Sequence, residues 1–272
     1  MAAYSVLMSV YQKEKAEYFR ASIQSMIDQT EKANEFVIVC DGPLTEELED
    51  VLTWAGERLK DKIRTVRLAQ NLGLGQALNA GLKVCKNELV ARMDTDDVSL
   101  PDRCEKQLSV FRDHPEVSVV SGIVEEFMQD SDRVTVARVL PSQHDAIYEF
   151  AKKRNPFNHP CVMFRKNAVE KAGGYQDMYL LEDYFLWIRM LINGEKGMNL
   201  NEPLLRMRVG AGMYKRRGGI RYISSQVRLF SYMLEKGMIT RSQCIGSIVT
   251  RTLSGIIPAK VRSFLYQKLL RD

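Results

Sequence analysis

The 272-residue chain is 45% hydrophobic and 27% charged and has no low-complexity run, which excludes a disordered protein and leaves room for a substantial core. Its formal charge of +5 is unevenly spread: residues 1–200 sum to −6 and residues 201–272 to +11, so a basic tail follows an acidic body. Cys40, Cys85, Cys104, Cys161 and Cys244 stand apart from one another and show no ligand spacing with the three histidines, which argues against a zinc site or a disulfide frame and fits thiols in a reducing cytoplasm.

No cationic segment precedes the apolar residues of "MAAYSVLMSVYQ", so no signal peptide is expected. The alternation of "AYSVLMSVY" (3–11) predicts a strand, and Phe19, Ile23, Met26 and Ile27 fall at helical spacing within 15–29. "EFVIVCDGP" (35–43) predicts a buried parallel strand that stops at Asp-Gly-Pro. A helix then starts on Thr45, with carboxylates in its first turn that suit the helix dipole. "KIRTVRLA" predicts a third strand, "GQALNAGLKVC" a third helix and "NELVARM" a fourth strand. Alternation of this kind implies right-handed βαβ units and a parallel, doubly wound sheet, with ligands bound at the carboxyl ends of strands.

A helix opened by Pro101 follows, and beyond it the pattern is mixed. Strands are expected at "VSVVSGIVEEF", "PCVMF" and "NLNEPLLRMRV", and helices at about 143–153, "KNAVEKAG" and "LLEDYFLWIRMLING" (180–194). The last fifty or so residues read as helices. Their longest apolar stretch, "CIGSIVTRTLSGII", is interrupted by Arg251 and falls short of the roughly 20 residues that span a bilayer.

Three stretches could carry chemistry. "NLGLGQALNAGL" (71–82) places Gly73-x-Gly75 at a strand-to-helix junction, but Leu78 stands at the third glycine position and breaks the dinucleotide fingerprint. Tight turning and close helix packing explain these glycines as well as approach to a nucleotide does. "ARMDTDDVSLPDR" (91–103) crowds Asp94, Asp96 and Asp97 together, each raising the cost of ionising the others. An acidic turn is one reading. A calcium loop is a poor one, because Val98 and Ser99 sit where a ligand and the obligatory glycine belong. A phosphotransfer aspartate of the haloacid-dehalogenase kind would use Asp94 as nucleophile, although that fold opens on this strand and here three strand-helix units precede it. The third reading is a Mg²⁺ or Mn²⁺ ion held by one or two carboxylates and completed by substrate phosphates. Glu182 and Asp183, at the start of an amphipathic helix, read equally as a solvated turn.

"SVLMSVYQ", "VIVCDGP", "NLGLGQALNAGL", "ARMDTDDVSLPDR", "NHPCVMFRKNAVEKAGGY" and "LEDYFLWIRM" occur in the order found in family 2 glycosyltransferases. Over about residues 3–210 the chain resembles bacterial members that build O-antigen, capsule and exopolysaccharide repeat units, the amylovoran type included. The resemblance implies an α/β GT-A fold with a mostly parallel, helix-flanked sheet, a nucleotide-diphosphate sugar donor, a divalent metal (Mn²⁺ or Mg²⁺) and inversion at the anomeric carbon. On this pattern residues 1–210 form the catalytic domain, with the nucleotide side at about 1–100 and the acceptor side at about 101–210, while 211–272 add a basic loop and a helical extension.

Carried over by position, Asp41 would meet the nucleobase in a pocket lined near Val10, Tyr11 and Asn71, and Asp94 would face the ribose or the metal. Asp96, with Asp97 beside it, would ligate the metal, and Asp183, next to Glu182, would be the general base. His159 reads as structural or as an acceptor contact. Lys215, Arg216 and Arg217, set between glycines, suit either a solvated turn or a lid over the diphosphate. The basic, apolar tail has the composition of helices that lie on an anionic membrane surface or pack on the domain; nucleic acid is a poor partner, because no binding module accompanies the charge. The expectation is a peripheral enzyme on the cytoplasmic side that adds one sugar, taken as a UDP-sugar, to a polyprenyl-diphosphate-linked glycan. A non-catalytic nucleotide- or glycan-binding subunit is the alternative from another class.

Overall fold

The computed structural model describes residues 2–129, 131–210 and 219–256, with the backbone alone over 253–256. Lys215, Arg216 and Arg217, and the terminal stretch from Pro258, lie outside the described residues.

Four strands and three helices alternate first: β1 (Tyr4–Val10), α1 (Ala16–Ile27), β2 (Glu35–Cys40), α2 (Glu46–Leu59), β3 (Ile63–Arg67), α3 (Leu74–Val84) and β4 (Leu89–Met93). The order β3-β2-β1-β4 is parallel throughout. β1, β2 and β4 are almost wholly buried, because helices cover both faces. Side chains two apart share a face of the sheet. Val6 and Met8 therefore join α1 and α2 in one core, whereas Leu7 joins α3 in the other.

The second half extends the same sheet with mixed pairing. β5 (Val98–Ser99), α4 (Arg103–Asp113), β6 (Val117–Phe127), β7 (Val134–Arg138), α5 (His144–Ala151), β8 (Met163–Arg165), α6 (Lys166–Lys171), α7 (Glu182–Ile192) and β9 (Lys196–Arg208) follow in turn. β8 lies antiparallel between β4 and β6, β9 runs parallel to β6, and β5 caps the edge against β9. This arrangement brings the start of α7 toward the carboxyl end of β4.

Most expected elements form where the periodicity puts them, with specific differences. Thr45 precedes α2 but makes no capping hydrogen bond, and the helix opens instead on Glu46, Glu47 and Glu49. Pro101 does not open α4, which begins at Arg103. β7 forms as the return arm of a hairpin with β6, which its short, largely exposed run did not announce.

Two helices close the described chain, α8 (Ile220–Glu235) and α9 (Arg241–Ile256). α8 buries Leu229, Phe230 and Met233 against Phe185 and Ile188 of α7. That apolar stripe is consumed by packing and is not open to a membrane. Ile245 and Val249 of α9 remain exposed. No helix among the described residues is long and apolar enough to cross a membrane.

Candidate active site

The parallel neighbours β1, β2 and β4 end side by side, placing Val10, Asp41 and Asp94 along one sheet edge. The Asp41 amide donates to the Val10 carbonyl at 2.8 Å. Val10 is buried and Tyr11, next along, is 40% exposed. The Asp41 carboxylate accepts the Leu72 amide on Oδ1 at 2.7 Å and the Gly73 amide on Oδ2 at 3.0 Å, while Asn71 Nδ2 donates to the Asp41 carbonyl at 3.2 Å. Asp41 thus fixes the loop that leads into α3. Two glycines permit that closeness: Gly73 has φ +88°, and a Cβ on Gly42 (φ +90°) would meet the Asn71 amide at 2.8 Å.

Beyond β4, Asp94, Asp96 and Asp97 present carboxylate oxygens that lie within 4.8 Å of one another. The loop is pinned by Ser22 Oγ, which donates to the Asp94 carbonyl at 2.6 Å, and by Thr95 Oγ1, which donates to Glu14 Oε2 at 2.7 Å. Arg92, 1% exposed, grips both oxygens of Asp94, with Nη1 donating to Oδ2 at 2.6 Å and Nη2 to Oδ1. Asp97, also 1% exposed, accepts the Arg208 amide on Oδ1 at 2.8 Å, but its Oδ2 is buried with no hydrogen-bond partner.

Such an oxygen is costly unless something positive meets it. Burial, then Asp94, then Glu14 push the Asp96 carboxyl up to about 7. Burial, Asp94 and Asp96 hold Asp97 well above the ordinary carboxylate range. An all-oxygen cluster that is difficult to ionise alone fits a hard divalent cation, which would relieve both the repulsion and the orphaned oxygen. With both its oxygens committed to Arg92, Asp94 is the least suited of the three to ligate, so Asp96 and Asp97 fit that role best.

Asp183 lies in the first turn of α7, and its Oδ2 accepts Asn155 Nδ2 at 2.6 Å. Beside it, burial and then Asp183 push the Glu182 carboxyl up to about 7. α3 and α7 meet closely here: a Cβ on Gly75 would lie 3.8 Å from Cβ of Glu182. Tyr175 connects this region to the aspartates. It is buried, feels Arg92, Asp183, Glu182 and Asp94, and its hydroxyl hydrogen-bonds His159 Nε2 at 2.9 Å. His159 itself packs against Tyr175 and Trp187. Burial and then the Arg92 charge hold it well below the usual histidine range, so it sits there neutral as a buried strut.

Several contributors were not singled out from the sequence. Arg92 carries a signal of its own, because an arginine within a buried parallel strand is unusual. Arg208, at the end of β9, packs its guanidinium over Tyr18 at 3.7 Å and Phe127 at 4.5 Å, and its Nε donates to the Asp96 carbonyl at 3.1 Å. Glu14 and Asn155 carried no local signal, since only folding brings them to the site.

The sequence pattern described as Glycosyl transferase family 2 matches residues 5–173. The chain is 42% identical over 268 residues to the amylovoran biosynthesis glycosyltransferase AmsE of Erwinia amylovora, covering 97% of this chain and 98% of that one. It is 35% identical over 269 residues to an Escherichia coli UDP-Gal:alpha-D-GlcNAc-diphosphoundecaprenol beta-1,3-galactosyltransferase, covering 98% and 96%. Among solved structures, the mannosyltransferase PcManGT of Pyrobaculum calidifontis, in complex with GDP-Man and Mn²⁺, superposes with a TM-score of 0.67 at 16% identity, over 98% of this chain and 76% of that one. The fold is therefore the GT-A type. A phosphotransferase built on Asp94 does not survive: β4 is the fourth strand in chain order, and Arg92 engages both oxygens of that carboxylate. The chain belongs to glycosyl transferase family 2 and is a glycosyltransferase.

Proposed function

We propose that the chain is a metal-dependent, inverting and non-processive transferase. It moves one sugar from a UDP-sugar to a glycan carried on a polyprenyl diphosphate, at the cytoplasmic face of the membrane, during assembly of a surface polysaccharide. The observation that carries this reading is the buried, unpartnered Oδ2 of Asp97 within the aspartate cluster at the sheet edge. The substrate classes follow from the names of its relatives, one of which is a galactosyltransferase that takes galactose from UDP-Gal to a diphosphoundecaprenol-linked GlcNAc.

In this reading Asp41, Val10, Tyr11 and Asn71 form the nucleobase pocket, and Asp94, immobilised by Arg92, faces the ribose. Asp96 and Asp97 hold the divalent cation, which when bound supplies positive charge to the leaving diphosphate. Asp183, oriented by Asn155, takes the proton of the acceptor hydroxyl as its oxygen bonds to the anomeric carbon and the bond from that carbon to the diphosphate breaks. Attack from the face opposite the leaving group inverts that carbon, so an α-linked donor gives a β product. The Arg208 guanidinium, fixed above the aspartate loop, adds a second positive charge on the diphosphate side. Exposed Ile245 and Val249, together with the tail's positive charge, hold the enzyme at an anionic membrane surface.

The direct test is a panel of nucleotide sugars incubated with the full chain and Mn²⁺. Metal-dependent release of UDP from one UDP-sugar, with an inverted product when a diphosphate-linked acceptor is supplied, is the expected result. Turnover that is unaffected by chelation, or retention of configuration, would overturn the proposal.

A further inference from the structure

Apart from the aspartate cluster, the molecule carries a second charged concavity, of opposite sign. A cleft of about 450 Å³ opens between the end of α5 with the segment that follows it and the first three turns of α9. Lys152, Lys153, Arg154 and Arg251 all line it. Among the described residues that line it, Glu149 is the one carboxylate, and its Oε1 lies 2.6 Å from Lys152 Nζ. Ser247 and Thr250 add hydroxyls on the α9 wall.

The cleft is joined to the start of α7. Arg154 is followed directly by Asn155, whose amide donates to Asp183. Tyr184, next after Asp183, donates its hydroxyl to the Ala151 carbonyl at 2.5 Å. Arg251 reaches across from α9 to donate to the Lys153 carbonyl, and its guanidinium lies 4.6 Å from the centre of the Phe230 ring.

We propose that this cleft binds the diphosphate of the acceptor. The inference rests on the functional reading above and extends it by assigning the acceptor's charged group to named residues. The site is cationic and lacks the carboxylate cluster that a metal-bridged diphosphate needs, so it suits a diphosphate bound without metal. Guanidinium forks and ammonium groups from two different elements can grip two adjacent phosphates at once. Its position follows the chemistry of such acceptors. Where the acceptor sugar is bonded directly to the diphosphate, the attacking hydroxyl lies across one sugar ring from the phosphates, and Arg154 is the immediate chain neighbour of Asn155, the partner that orients Asp183. The cations therefore set which hydroxyl faces the base.

The test is binding of undecyl diphosphate to the full chain with EDTA present, compared with undecyl monophosphate and with phosphatidylglycerol vesicles. Lys153→Gln and the pair Lys153→Gln with Arg154→Gln are assayed beside the wild type, and UDP binding with Mn²⁺ is measured in parallel. The wild type is expected to prefer the diphosphate. The double variant should bind it about tenfold more weakly, with UDP affinity unchanged. Should the double variant fail to fold, Lys153→Gln alone carries the test, with an expected loss of about threefold. Unchanged diphosphate binding in the variants, no diphosphate binding by the wild type, or a loss confined to phosphatidylglycerol vesicles would each overturn the proposal, the last by marking a phospholipid headgroup site. Loss of UDP binding by the wild type itself would instead strike the donor reading, while the diphosphate arm still decides the cleft.

Discussion

Asp97 holds one oxygen on the Arg208 amide and buries the other without a partner. Without metal that charge is opposed by desolvation, Asp94 and Asp96, so Asp97→Asn is expected to be more stable than the wild type by about 1 kcal/mol in EDTA and to lose most of the stabilisation by Mn²⁺. Thermal melts with and without metal check both halves. Glu182 gives a pH signature of its own. Its carboxyl is pushed from 4.5 to about 7, so the stability it contributes is complete below the unfolded value and is lost as pH rises through the folded one. Glu182→Gln should therefore stabilise the protein by about 1–2 kcal/mol at pH 8 and change little at pH 4, as read from melting curves across that range. The aspartates were legible in the sequence because like charges seldom crowd without cause. Arg208 was not, since it acts through ring stacking and a carbonyl contact that no spacing encodes, whereas Arg92 stands out as an arginine within a buried strand.

At the scale of elements, α7 delivers Asp183 and α3 opens on the loop that Asp41 holds. Asp183→Asn keeps the Asn155 contact sterically possible but removes the proposed base; transfer is expected to fall by about 10²–10⁴-fold while UDP binding stays within about twofold. Steady-state rates beside calorimetry separate the two. Gly73, at φ +88°, ties the α3 start to Asp41 through its amide. Gly73→Ala should cost about 1–3 kcal/mol and weaken UDP binding, which denaturant melts and titration would show. Strand β1 was readable from its alternation and β2 from a continuous apolar run, and α1 and α7 from their amphipathic spacing, while α2 announced itself by the carboxylates of its first turn. β7 was not, because a largely exposed hairpin arm carries no buried face to set a period.

For the molecule as a whole, the split between an acidic body and a basic tail was visible as charge alone. The structure resolves part of it into packing, since α8 spends its apolar stripe on α7, while α9 leaves Ile245 and Val249 open and lines the cationic cleft. Ile245→Asp with Val249→Asp is expected to lower binding to anionic vesicles by about tenfold without shifting the melting temperature, as flotation and thermal melts would report. The mixed second half of the sheet, in which β8 inserts between β4 and β6, could not be read from the order of elements. Pairing over such separations is fixed by the final packing, and it brings Asp183 to the side where the aspartates stand.

The most direct measurement is calorimetric titration of UDP into the wild type, Asp96→Asn and Asp97→Asn, each with Mn²⁺ and with EDTA. UDP binding by the wild type that needs Mn²⁺, together with loss of that dependence in both variants, is the predicted result. Equal affinity in EDTA, or variants that keep the full metal dependence, would contradict the account.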